Sequence, residues 1–230
     1  MALLAFPFTL AVEESFSPTM NTIKNIVFDL GNVLLDLHLN KTEEAFRELL
    51  QEEFEPAYLK YEADRLFERL EIGVISPFEF ITGMRAATSV PITDEEVLEG
   101  WNALLGDLPK QRIDLLRELA ENYRIFLLSN TNAIHMMWLN EYLEDNYNLT
   151  IQDFTDLFEK HFFSFQIKLR KPQAEIFQYI LDQTQINAAE TMLVDDRLDN
   201  IEAAKKLGFQ TFQHDPANEI SSVLPELLKG

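Results

Sequence analysis

The sequence predicts an α/β fold: a doubly wound parallel sheet with an α-helical unit inserted after the first strand. Three observations predict it. Apolar runs at 24–29, 124–129, 162–166, 191–195 and 210–213 lack polar alternation, as expected of strands covered on both faces. Amphipathic stretches at 109–122, 132–144, 172–184 and 197–208 separate the later runs, and strand–helix alternation argues for a parallel sheet. Polar stations stand at the carboxyl ends of three runs: Asp29 after Ile26-Val27-Phe28, Ser129-Asn130 after Ile125-Phe126-Leu127-Leu128, and Asp195-Asp196 after Met192-Leu193-Val194. Right-handed crossovers bring such ends to one sheet edge, where open α/β sheets bind ligands.

Taken in order, residues 1–20 read as an N-terminal extension. Ala2–Val12 is apolar, but no Lys or Arg precedes it, and no small-residue cleavage site precedes Glu13 and Glu14. It is too short to cross a bilayer. Met20 stands just before Asn21-Thr22-Ile23-Lys24, a natural start for the first strand, so an upstream extension or misassigned start fits better than export. Core segments are expected at 21–37 and 107–230, with a helical cap at 38–106. Within that insertion, Asn40 and Glu43, Ser76 and Glu79, and Thr93 and Glu96 have capping-box spacing. Pro77 suits a first helical position and Gly73 a helix end. Placed directly after the Asp29 loop, the insertion reads as a lid.

Bulk properties narrow the chemistry. With 47% hydrophobic residues the 230-residue chain can build a full core. It has no cysteine, which excludes disulfides, thiolate catalysis and Cys-ligated metals and fits a cytoplasmic protein. A formal charge of −20 repels nucleic acid and anionic membranes, so a small molecule is the expected partner, for a monomer or weak homodimer. A phosphorylated ligand would need local cations: a divalent metal, Lys171 and Arg170.

Each station has an ordinary reading and a chemical one. Asp29 can be a nucleophile, a metal ligand or a strand-end acid. Asp195 and Asp196 are adjacent carboxylates that repel without a cation, and an oxygen-rich site suits Mg²⁺; a helix cap is the plainer reading, and Asp199 and Asn200 can serve it too. Ser129 with the Asn130 amide offers donors to phosphate oxygens, or caps a helix as Thr131 and Asn132 equally can. Lys171, before Pro172 at an expected helix start, can balance a phosphate. Histidines at 38, 135, 161 and 214 lack metal-ligand spacing. No G-x-G-x-x-G follows a strand, which argues against a dinucleotide site.

In this order, Asp29-Leu30-Gly31-Asn32-Val33, Ser129-Asn130-Thr131-Asn132, Arg170-Lys171-Pro172 and Val194-Asp195-Asp196 with Asp199-Asn200 resemble the haloacid dehalogenase superfamily over residues 23–213. The wording looks most like a bacterial branch that includes α-glucose-1-phosphate phosphatase. The resemblance implies a Rossmann-like core and a phosphoric monoester hydrolase in which Asp29 forms an aspartyl-phosphate. It implies Mg²⁺ held by Asp29, the Gly31 carbonyl, Asp195 and Asp196, and a phosphoryl group held by Ser129, Asn130 and Lys171. One position departs: most phosphatases of the superfamily carry a second Asp, a proton donor, where this chain has Gly31. An anomeric oxygen leaves more easily than an alkoxide, so a sugar phosphate, and a sugar-1-phosphate above all, is the expected substrate; Asp36 and His38 are candidate substitute acids. Two other functions fit the same fold: a 2-haloacid dehalogenase, and a catalytically weak binding or regulatory protein.

Overall fold

The computed structural model describes residues 22–229. The chain runs β1 (Asn25–Phe28), α1 (Lys41–Leu50), α2 (Phe54–Ala63), α3 (Leu66–Glu71), α4 (Pro77–Ala86), α5 (Asp94–Asn102), α6 (Lys110–Ala120) and β2 (Arg124–Ser129). It continues with α7 (Ala133–Tyr147), α8 (Ile151–Thr155), β3 (Lys160–Phe163), α9 (Ser164–Ile167), α10 (Ala174–Thr184), β4 (Thr191–Asp195), α11 (Leu198–Lys206), β5 (Gln210–Gln213) and α12 (Ile220–Lys229). The apolar 2–12 segment lies outside the described residues.

The five strands form one parallel sheet in the order β3-β2-β1-β4-β5. Successive strand residues face opposite sides. Ile26, Phe28, Ile125, Leu127 and Val194 therefore pack into one apolar cluster, while Val27, Phe126, Leu128 and Leu193 pack into another. Both faces are covered, which explains the unbroken apolar runs. After β1 the chain winds to β2 and β3 on one side, then returns to β4 and β5 on the other. The switch point lies between β1 and β4, where Phe28 pairs with Val194, so the Asp29 and Asp195 backbones come out side by side.

Helices α1–α5 lie between β1 and β2 and bury a cluster of their own around Phe46, Tyr61, Leu70, Phe80 and Met84, joined by Ile134 of α7. Capping boxes form at Ser76/Glu79 and Thr93/Glu96, with Pro77 in the first turn of α4. No cap forms at Asn40: its backbone already has a helical conformation, and its side chain accepts no cap hydrogen bond. Gly73 has φ +64°, and a Cβ there would meet the Phe165 carbonyl oxygen at 2.0 Å, so glycine allows α3 to end against α9.

Two elements differ from the sequence expectation. The strand expected at 162–166 ends at Phe163, because its register partner Ser129 is the last residue of β2 and nothing pairs beyond it. The next four residues turn into α9. The helix expected from Pro172 begins at Ala174. Both backbone groups of Lys171 are taken by the Asn130 side chain, which holds this stretch outside the helix.

Candidate active site

The stations at the sheet edge converge. Carboxylate oxygens of Asp29, Asp195 and Asp196 lie within 4.8 Å of one another. Lys171 is buried beside them, its Nζ 2.9 Å from Asp29 Oδ1 and 2.6 Å from Asp195 Oδ2. Such a group of one ammonium and three carboxylates carries uncompensated negative charge. Burial outweighs the pull of Lys171 on Asp29 and, with Asp195 and Asp196 acting in the same direction, lifts the Asp29 carboxyl up to about 7. Burial depresses the Lys171 pKa, but Asp29 and Asp195 overcome it and hold the ammonium above the usual lysine range.

Short local bonds set each side chain. Asp29 Oδ1 accepts the Leu30 backbone N–H at 2.7 Å, so this bond and the Lys171 contact fall on the same oxygen. Asn32 takes the left-handed conformation, φ 55°. Its amide donates to Asp196 Oδ2 at 3.0 Å, and its carbonyl oxygen accepts the Leu37 N–H at 3.1 Å. The loop is thereby folded back over Gly31, where a Cβ would meet Leu37 Cδ1 at 2.6 Å. Asp195 accepts from the Arg197 N–H, from Lys171 and, on both oxygens, from Asn200. Asn200 is therefore a partner of Asp195, and Asp199 pairs with Arg197.

The Asn130 side chain accepts the Lys171 N–H and donates to the Lys171 carbonyl, both at 2.9 Å. Ser129 is buried at the end of β2. Asn132 accepts from the Ile134 and His135 N–H groups as the cap of α7.

Two cavities flank these residues. One, of about 240 Å³, is lined by Asp29, Asn130, Arg170, Lys171, Asp196 and Arg197. The other, of about 220 Å³, lies between the inserted helices and the sheet edge, with Leu35, Phe67, Trp101, Ser129 and His135 in its wall. Trp101 stacks between Phe67 and His135, at 5.1 and 5.3 Å between ring centroids. Burial pushes the His135 pKa down to about 4, so its ring is neutral at pH 7. Of the other aromatic residues in the insertion, Tyr61 and Phe80 are core, while Phe78 is exposed.

The structure brings together Asp29, Gly31, Ser129, Asn130, Lys171, Asp195 and Asp196. It does not bring Asp36 or His38 into the wall of either cavity, and Asp36 is bound by Arg112 at 2.7 Å. Sequence reasoning missed Asn32 and Glu71. The positive φ of Asn32 had a signal in the Gly-Asn pair after a strand; Glu71 had none, being one acid among 39.

Hard oxygen donors at mutual reach, on a site with excess negative charge, fit a divalent cation such as Mg²⁺. Among the described residues, no helix is long and apolar enough to cross a membrane.

Comparison with known proteins agrees with this geometry. Residues 23–208 match the haloacid dehalogenase-like hydrolase family model. A D-ribitol-5-phosphate phosphatase of Bacteroides thetaiotaomicron is 32% identical over 191 residues, 83% of this chain and 91% of its own. A sesquiterpene phosphatase of Aspergillus oryzae is 29% identical, over 81% of this chain and 87% of its own. A haloacid dehalogenase-family enzyme of B. thetaiotaomicron, solved in complex with magnesium and inorganic phosphate, superposes with a TM-score of 0.76 at 33% identity, over 86% of this chain and 96% of its own. By its sequence, its fold and the residues at its sheet edge, this chain belongs to the haloacid dehalogenase-like hydrolases.

Proposed function

We propose that the protein is a Mg²⁺-dependent phosphatase that hydrolyses a small phosphorylated sugar or polyol through an aspartyl-phosphate on Asp29. The observation that carries this is the placement of Asp29, Asp195 and Asp196 within 4.8 Å around Lys171. Relatives that act on a polyol phosphate, or bind magnesium and phosphate, support it.

Asp29, Asp196 and the Gly31 carbonyl would hold the ion, with Asp195 joining them while it orients Lys171. When bound, Mg²⁺ neutralises phosphate charge and makes phosphorus a better electrophile. Oδ1 of Asp29 is engaged by Leu30 and Lys171, so Oδ2 attacks phosphorus in line with the leaving oxygen. Lys171, Ser129 and the Asn130 N–H hold the phosphoryl oxygens, and Arg170 and Arg197 place two further cations in the cavity wall. Water then cleaves the aspartyl-phosphate. The inserted helices at 38–106 act as a cap over the core, and the cavity beneath them takes the leaving group. Its volume suits a metabolite-sized alcohol. Gly31 gives that alcohol no proton, which favours an anomeric phosphate unless another acid serves the site.

The test is phosphate release from sugar phosphates, polyol phosphates, phosphoserine and nucleotides, with Mg²⁺ and with EDTA, beside Asp29→Asn. Mg²⁺-dependent turnover that disappears in the variant is expected. Metal-independent halide release from a 2-haloacid, without phosphatase activity, would overturn the reading in favour of a dehalogenase.

A further inference from the structure

The two cavities of the site share four wall residues: Gly31, Leu37, Glu71 and Asn130. If phosphorus binds beside Asp29 and the leaving group lies under the inserted helices, the breaking P–O bond crosses this seam. Gly31 and Leu37 have no proton to transfer, and an amide such as Asn130 donates a hydrogen bond but does not ionise. Among the described residues, Glu71 is also the single carboxylate in the wall of the leaving-group cavity.

Glu71 is held there from two directions. Its backbone carbonyl, at the end of α3, accepts the Ser164 hydroxyl at 2.7 Å. The same hydroxyl oxygen receives the Thr131 N–H at 2.9 Å, which ties α3 to the loop after β2. Its carboxylate meets Arg170 Nη2 at 3.1 Å, the one ion pair among the described residues that joins the inserted helices to the sheet domain.

We infer that Glu71 is the general acid that protonates the leaving oxygen, in place of the proton donor that Gly31 lacks. The inference rests on the phosphatase reading of the site. In the first step the Asp29 Oδ2–P bond forms, the P–O bond to the alcohol breaks, and the Glu71 proton passes to the departing oxygen. In the second step Glu71 takes a proton from water as it attacks phosphorus, the Asp29–P bond breaks, and inorganic phosphate leaves. Burial favours the protonated form against the opposing charges of Arg170, Lys171 and Arg197, and nearby Glu68 acts in the same sense as burial; the net shift of Glu71 is upward. Arg170 is then a positioning residue that fixes the carboxyl at the seam.

The experiment compares wild type, Glu71→Gln and Glu71→Asp on p-nitrophenyl phosphate and on the alkyl phosphate turned over fastest in the panel. Nitrophenolate leaves without a proton and an alkoxide does not. In E71Q, kcat/KM for the alkyl ester should fall about 100-fold, with less than about a 3-fold fall for p-nitrophenyl phosphate. E71Q should also release a burst of nitrophenol equal to the enzyme present, because hydrolysis of the phosphoenzyme is slowed. E71D, which keeps an acid, should retain more alkyl-ester turnover than E71Q. Equal losses on the two esters, no loss on either, or E71D no better than E71Q would overturn the assignment. A wild type inert toward every ester with Mg²⁺ would overturn the phosphatase reading and this inference together, whereas turnover that requires Asp29 but is indifferent to Glu71 removes only the inference.

Discussion

Asn130 closes a two-bond ring on Lys171: its carbonyl oxygen accepts the Lys171 N–H and its amide donates to the Lys171 carbonyl, each at 2.9 Å. The ring joins the loop after β2 to the loop before α10, and so sets where the buried Lys171 ammonium stands between Asp29 and Asp195. Asn130→Ala removes both bonds without touching a charge. We expect a loss of about 1–2 kcal/mol in stability and about 10- to 100-fold in kcat/KM, since small displacements in such sites are costly. Urea unfolding and kinetics on one substrate check it; full activity would show that Lys171 is positioned by other means.

The carboxylate cluster should trade stability for function. Asp29 is buried and pressed by Asp195 and Asp196, with one ammonium shared between Asp29 and Asp195. Asp29→Asn removes a buried charge, so in EDTA the variant should melt about 2–4 °C above wild type, a gain of about 1 kcal/mol. Excess Mg²⁺ should reverse the order by stabilising the wild type more strongly. Calorimetry in EDTA and in Mg²⁺ tests both; a variant less stable than wild type in EDTA would show that Lys171 depends on Asp29 more than Asp29 suffers from its neighbours.

The stations at strand ends were legible in the sequence because strand, polar residue and loop are contiguous, and crossover handedness then gathers Asp29, Ser129 and Asp195 at one edge without knowledge of packing. Other features depend on contacts between distant segments. Glu71 reaches the site because Ser164, 93 positions away, donates its hydroxyl to the Glu71 carbonyl at the end of α3 and accepts the Thr131 N–H from the loop after β2. The strand end at Phe163 depends on where β2 stops, and the late start of α10 depends on Asn130. Capping boxes at Ser76 and Thr93 were legible for the opposite reason, since both partners lie within one turn.

A buried arginine ties together three distant pieces of the core. Arg112 of α6 binds Asp36 at 2.7 Å, Glu219 at 3.0 Å and the Leu34 carbonyl at 3.1 Å. Desolvation opposes ionisation of Glu219, but Arg112 and the Ser221 N–H prevail and bring its pKa down to about 2. A depressed acid stabilises the fold above its ordinary pKa and loses that contribution as pH falls toward the folded value. The contribution is therefore complete near pH 7 and fades from about pH 4.5 to 2, about 1–2 kcal/mol for a partly exposed pair. Arg112→Met should cost about 3 kcal/mol at pH 7 and less at pH 3. Urea unfolding at the two pH values decides it: a pH-independent cost would show that packing of the arginine, not its charge, matters.

The contact of α3 with α9 should be intolerant of a single methyl group. At Gly73 a left-handed backbone, φ +64°, coincides with a close approach in which a Cβ would stand 2.0 Å from the Phe165 carbonyl oxygen. Gly208 is a natural control, with φ +89° and no atom nearer than 3.9 Å to the equivalent Cβ. Gly208→Ala should cost only backbone strain, about 1–2 kcal/mol, and leave kinetics unchanged. Gly73→Ala carries the same strain and must also push a rigid carbonyl aside, since backbone cannot yield as a side-chain tip does. We expect a cost of about 3–4 kcal/mol and, because Glu71 lies two residues before the displaced turn, a fall in kcat/KM on alkyl phosphates larger than on p-nitrophenyl phosphate. Equal costs for the two alanines would mean that α3 and α9 separate easily, and the inserted helices would then be loosely docked rather than held over the site.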